Sequence, residues 1–220
     1  MTDRDLSGAV VAVVGATGGL GGEIAAVLTE RGATVVRVGR NQPADLQIDL
    51  RNSGAGDELV TYCADRFGRL DGVVVAAGIV AFGDLVDTDD VVIEELFLTN
   101  AIGPMWLAKR VAVPLAESQG FFVNISGVVA DTPMPGMAAY SASKAAAAAA
   151  MESVWREFRR SKIQVIDARP PHTETGLATR PLDGVAPKMP EGLAPRAVAE
   201  RICGAIERGE AVVGPGEFSS

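Results

Sequence analysis

A chain of 220 residues, 48% of them hydrophobic, suffices for one sizeable core and is short for two, which predicts a single domain over 1–220. A net charge of -8 and a pI of about 4.8 surround it with a field that repels phosphate backbones and anionic bilayers, excluding nucleic acid and membrane surfaces as partners. The first residues carry no charged-then-apolar export signal and the longest apolar stretch, 72–82, is too short to span a bilayer, so a cytoplasmic location is expected.

In chain order, Val10–Val14 reads as a β-branched strand, 23–31 as a helix stopped by Gly32, 34–38 as a second strand and 46–48 as a short third. A helix over 57–67 leads to a fully apolar fourth strand at 73–76. Residues 89–115 have helical periodicity, with Pro104 marking a bend and Pro114 an end. Then come a fifth strand, Phe121–Ile125, a long helix over 140–160 and a sixth strand over 163–168. Residues 170–195, rich in Pro, Gly and Thr, read as a long loop and a substrate lid. A helix, Pro195–Arg208, and a last strand at 211–213 close the chain. Strands alternating with longer helices predict a doubly wound, Rossmann-type α/β fold: one parallel sheet of six or seven strands with helices on both faces. Cys63 and Cys203, far apart, with the single His172, offer no zinc spacing and no disulfide framework, so no metal is expected and both thiols read as buried packing residues.

Between the first strand and first helix stand Gly15, Ala16, Thr17, Gly18, Gly19, Leu20, Gly21 and Gly22. A glycine-rich turn lets backbone amides approach a pyrophosphate, and the positive end of the following helix attracts it. Thr17 breaks the G-x-G-x-x-G frame, whereas Gly15, Gly19 and Gly21 fit G-x-x-x-G-x-G, and here the sequence resembles the short-chain dehydrogenase/reductase family. After the second strand, an acidic residue reads a free ribose 2′-hydroxyl and an arginine accepts a 2′-phosphate; Arg40 therefore favours NADP over NAD. The resemblance implies that Asp49 and Leu50 contact the adenine ring, although Asp49 serves equally as a cap for the turn before Asn52.

Tyr140 and Lys144 open the long helix four residues apart, on one face. An ammonium beside a phenol lowers its pKa from about 10 and makes it a usable acid/base. By resemblance, Tyr140 exchanges a proton with the substrate oxygen, Lys144 also holds the nicotinamide ribose, and Asn100 holds a water linking the lysine to solvent, unless it bonds its own helix backbone. Pro170 and Thr175 match a P-G-x-x-x-T segment whose threonine bonds the nicotinamide carboxamide, and Ala77 and Gly78 keep the close backbone approach to the cofactor. His172 reads either as a substrate contact or as a surface polar group.

The pattern fails at three places. Gly127, thirteen positions before Tyr140, replaces the family's substrate-binding serine. Ser126 precedes it as the remaining catalytic candidate, yet alternation along a strand points it away unless the 128–139 loop carries a bulge. Losing one such donor costs about 2.7–4 kcal/mol. Pro171 replaces the glycine of the P-G pair, and Val75 and Ala76 replace two asparagines. The resemblance spans 8–213 and implies an NAD(P)(H)-dependent oxidoreductase acting on a carbonyl or secondary alcohol. The alternative is a catalytically impaired dinucleotide-binding protein; a dehydratase or epimerase lacks a second acid/base beyond His172. A homodimer or homotetramer through the helices after the fourth and fifth strands is implied, with the alanines at 145–150 allowing close approach. Leu177, Leu182 and Met189 beside Arg180 and Lys188 admit small or apolar substrates.

Overall fold

The computed structural model describes residues 3–218, so Met1, Thr2, Ser219 and Ser220 of the expected domain lie outside the described residues. Seven strands, β1 (Val10–Val14), β2 (Thr34–Gly39), β3 (Leu46–Gln47), β4 (Gly72–Val75), β5 (Phe121–Ile125), β6 (Gln164–Ala168) and β7 (Val212–Val213), form one parallel sheet in the order β3-β2-β1-β4-β5-β6-β7. β1 and β4 are apolar throughout because both sheet faces are covered. On one face α1 (Gly19–Glu30) and α6 (Pro195–Arg208) bury Val11, Val13, Ile24, Phe121, Ile202 and Ile206. On the other, α2 (Ala55–Phe67), α4 (Gly103–Glu117) and α5 (Ala138–Phe158) bury Ala12, Leu59, Leu107, Phe122 and Met151. Phe121 and Phe122 enter opposite cores, as alternation requires.

Most element ends fall within two residues of expectation, and three differences bear on the site. The first helix starts at Gly19 instead of 23, because the glycine loop itself turns into helix after extended Gly18. The 89–115 segment divides into α3 (Asp90–Phe97), a π turn (Leu98–Ile102) and α4. The break therefore falls before Pro104, which sits in the first turn of α4, where a missing N–H costs nothing. Pro114 lies inside α4, which runs on to Glu117. The combined helix Asp90–Glu117, 28 residues, is long and apolar enough by length and composition to cross a bilayer, unlike 72–82, and half of its apolar window is buried in the fold. In α5, Ala147 and Ala148 pack into the protein's own core, while Ala149 is exposed. Cys63 and Cys203 are free and buried, and burial pushes their thiols up to about 11 and about 12.

The sheet order reverses between β1 and β4, which opens a crevice at the carboxyl ends of these strands. The loop after β6 closes over it. Leu182 N donates to Val80 O at 2.7 Å and Phe82 N to Asp183 O at 3.0 Å, strapping the loop to the segment after β4. At the loop's base, Leu193 N donates to His172 O at 2.8 Å, and Glu174 Oε1 accepts from Gly192 N at 2.8 Å while lying 3.2 Å from His172 Nε2. Beneath it Val80, Phe82, Leu96, Met137 and Tyr140 form a third apolar cluster with Leu177 and Ala178.

Candidate functional site

A cavity of about 550 Å³ occupies the crevice, bordered at one end by Gly15, Thr17, Gly18, Gly19, Leu20, Gly21 and Arg40 and at the other by Tyr140, Lys144 and His172. The glycines are required by contact. Gly15 has φ +89, and a Cβ there would lie 2.6 Å from Ala77 N. A Cβ on Gly21 would run into Gly15 O, and one on Gly19 would lie 2.7 Å from Thr175 O. No side chain caps α1 at Gly18, so the first-turn amides of that helix face the cavity end where an anion is favoured. Arg37, not singled out by sequence reasoning, braces this loop by donating to Ala16 O at 2.9 Å. That leaves Arg40, exposed on the cavity wall beside Gly39, as the cation at the end of β2.

Asp49 and Leu50 border the same cavity. The Asp49 carboxylate accepts from the Arg51 guanidinium at 2.6 and 3.0 Å and from Arg51 N at 3.0 Å, so it caps its own turn, and the Arg51 hydrogen bonds hold it below the usual carboxylate range. Ala77 and Gly78 follow β4. A Cβ on Gly78 would come within 3.3 Å of both Asn100 Oδ1 and Lys144 Nζ.

Tyr140 and Lys144 share one face of α5, both buried and both on the cavity wall. The expected lowering of the phenol is overturned: burial pushes Tyr140 up to about 12. Burial pulls Lys144 down to about 8, opposed by the negative charge of Asp167, and its ammonium donates to Ile125 O at 2.8 Å. Asn100, in the π turn, bonds neither its own helix nor the lysine. Its amide accepts from Ile79 N at 3.0 Å and donates to Ile79 O at 2.9 Å and Ser143 Oγ at 3.0 Å, clamping the segment after β4. Ser143 Oγ, also missed, in turn donates to Tyr140 O at 2.7 Å. Pro170 O accepts from Val128 N at 3.0 Å, so the Pro170-Pro171 path still joins the loop after β5. Thr175 lays its backbone on Gly19, and its Oγ1 accepts from Leu177 N at 3.3 Å.

At the end of β5 Ser126 lines the cavity, its hydroxyl buried and without a hydrogen-bond partner. Ser126 N and Gly127 N both donate to Ala168 O, at 3.0 and 3.3 Å, so the regular ladder of β5 is already broken where Ser126 stands. Gly127 has φ +82 and ψ 164, a conformation open in practice only to glycine.

Residues 9–183 match the model of the short chain dehydrogenase family. The chain belongs to that family. Dehydrogenase/reductase SDR family member 7B of Bos taurus is 31% identical over 193 residues, covering 77% of this chain and 59% of that protein. The chain thus spans about three-fifths of the length of such curated relatives. An uncharacterized oxidoreductase of Staphylococcus aureus (strain USA300) is 26% identical over 217 residues, 91% of this chain and 92% of that one. Among solved structures, a short chain dehydrogenase from Burkholderia cenocepacia J2315 in complex with NADP shares the fold at TM-score 0.83 and 24% identity, over 99% of this chain and 90% of that one. One from Burkholderia phymatum in complex with NAD does so at 0.85 and 19%, over 96% and 89%. Within this family frame, the chain has Tyr140, Lys144 and Asn100 and carries Gly127 where the resemblance expects a serine.

Proposed function

We propose that the protein is a nicotinamide-dinucleotide-dependent oxidoreductase that interconverts a carbonyl and a secondary alcohol. The observation that carries this is a single cavity joining the glycine loop to the Tyr140–Lys144 pair. The residues fit such a cofactor: side chains at Gly15 and Gly21 would collide with the backbone of Ala77 and of Gly15, so only glycines allow the tight loop that leaves the α1 amides facing the cavity, where they suit a pyrophosphate. Gly15, Thr17, Gly18, Gly19, Leu20 and Gly21 hold the phosphates, Arg40 the 2′-phosphate of NADP, preferred over NAD, and Asp49 and Leu50 the adenine side. Ala77, Gly78, Pro170 and Thr175 line the nicotinamide end. When bound, the dinucleotide supplies the hydride and accepts it in the reverse direction.

Tyr140 moves the proton. Its high pKa keeps the phenol protonated at neutral pH, ready to act as an acid toward a developing alkoxide in carbonyl reduction. Lys144, when charged, stabilises the phenolate left behind. Asn100 and Ser143 fix the π turn and the start of α5 so that these groups keep their places. Val80, Phe82, Met137 and Leu177 exclude water and favour small or apolar substrates under the 170–195 lid.

A second reading, a dinucleotide-binding protein with impaired catalysis, is favoured by the glycine-only backbone at Gly127, which lines the cavity where the resemblance expects a serine. Fluorescence titration with NADPH and NADH side by side, followed by turnover on a panel of apolar aldehydes and ketones, separates the two. Tight NADPH binding with turnover supports the enzyme. Tight binding with no turnover supports the second reading, and binding of neither nucleotide defeats both.

A further inference from the structure

Asp167 is a carboxylate inside a parallel sheet, 3% exposed. Its β6 neighbours Ile166 and Ala168 enter the core under α1 and α6, and Val165 enters the opposite one, so alternation places Asp167 on the face covered by α5. It stands across the register from Asn124, and Ser126 follows just beyond the end of β5. Ser141 and Lys144 approach from α5, one turn apart and buried. This layer is polar and meets the cavity at Ser126 and Lys144: Asn124 Nδ2, Ser126 Oγ, Ser141 Oγ and Asp167 Oδ1 are all buried with no hydrogen-bond partner, and Lys144 answers Asp167 by charge across the layer without an ion pair within 4.0 Å.

The second Asp167 oxygen, Oδ2, accepts from Arg169 Nε at 2.7 Å, but Arg169 Nη1 also donates to Asp131 Oδ1 at 2.6 Å. One guanidinium is divided between two carboxylates, which leaves the trio net negative. A charge in the interior is costly unless a cation answers it. Among the described residues Lys144 is the only lysine or arginine in the buried set, and it spends one of three ammonium protons on Ile125 O, in the strand beside β6. The remaining groups around it are Tyr140 on α5 and the neutral Asn100 and Ser143. α3 turns Val92 and Leu96 inward, and α4 turns Leu107 and Val111 inward.

We propose that Asp167 is the buried counter-ion of Lys144, a positioning residue that keeps the lysine charged beneath the cavity and acts on Tyr140 only through it. Its catalytic consequence rests on the oxidoreductase reading; the ion pairing does not. The depressed Lys144 pKa, with Asp167 pulling against burial, agrees with this arrangement.

The chain has four lysines, Lys109, Lys144, Lys162 and Lys188, so ¹³Cε-lysine NMR of the whole protein resolves each titration. One resonance with a midpoint near 8 should vanish in Lys144→Met, which assigns it. In Asp167→Asn that midpoint moves to lower pH, because the charge favouring the ammonium is gone. In Arg169→Met it moves to higher pH, because Asp167 then acts undivided. A midpoint unmoved in both variants, or moved the same way in both, overturns the proposal. If Asp167→Asn does not fold, the direction seen in Arg169→Met decides alone, and an unmoved or lowered midpoint there is equally fatal. These spectra need neither nucleotide nor substrate, so failure of the oxidoreductase reading shows separately, as absent NADPH and NADH binding. Where turnover is present, the alkaline limb of carbonyl reduction follows the Lys144 midpoint in both variants.

Discussion

Lys144 is held in the fold at a pKa near 8, against an ordinary value of 10.5. Below about pH 8 the folded protein carries a buried ammonium; an unfolded lysine keeps its proton to higher pH, so between about 8 and 10.5 unfolding takes up a proton and the charge penalty is relieved as pH rises. Lys144→Met removes that penalty. The variant should be inactive in carbonyl reduction and, at pH 7, more stable by roughly 1–3 kcal/mol, given 1.36 kcal/mol per unit of pKa depression. Its advantage should shrink as denaturation is repeated from pH 8 to 10.5; a variant less stable than the native protein at pH 7 contradicts the assignment. In the native protein, carbonyl reduction should decline above pH 8 as the ammonium is lost, which a pH profile of kcat checks. Gly127→Ser meets a different obstacle. Space is open, since a Cβ would find only Pro170 O at 3.9 Å, but φ +82 is strained for any L-residue. Substitution should lower stability by about 1–3 kcal/mol in urea denaturation. An unchanged midpoint means that the loop accepts a serine, and a tenfold gain in reduction would then be expected.

At the scale of elements, the loop after β6 is held by two backbone hydrogen bonds to the segment after β4, and Gly184 makes that approach possible: with φ +74, a Cβ there would run into Phe82 O. Gly184→Ala should loosen the strap, speeding amide exchange at Phe82 and Leu182 on the order of tenfold while the sheet amides stay protected. Exchange unchanged at both positions argues against this role. None of this strap was legible in the sequence, because Val80–Phe82 and Leu182–Asp183 pair across a hundred intervening residues and both read as irregular. β1 and β4 were legible, since a strand buried on both faces is apolar from end to end, and β5 departs from this only at Asn124. That both sheet faces are covered followed from this pattern alone. The π turn did not, because what holds Asn100 is the Ile79 backbone in another loop. Proline rules misplaced the bend in α3 and α4 for the same reason: Pro104 tolerates a first turn, and the break beside it comes from tertiary bonding. The Tyr140–Lys144 pairing on one helix face was readable from spacing, but the sign of the phenol shift depended on how deeply the fold covers it.

For the molecule as a whole, assembly is the open expectation. α4 leaves Met105, Lys109 and Val113 exposed in one stripe, with Val113 at 67% exposure. Light scattering should return two or four times 22.8 kDa, and Val113→Glu should shift the mass toward one copy. A strictly monomeric native protein refutes the oligomer. The contact between Thr175 and Gly19 joins the two ends of the chain's long-range architecture, the first turn after β1 and the loop after β6. A pyrophosphate settling on the α1 amides must share that ground. On the proposed reading nucleotide capture requires Thr175 to lift first, so the observed binding rate should level off at high NADPH; a rate that climbs in proportion to concentration contradicts this.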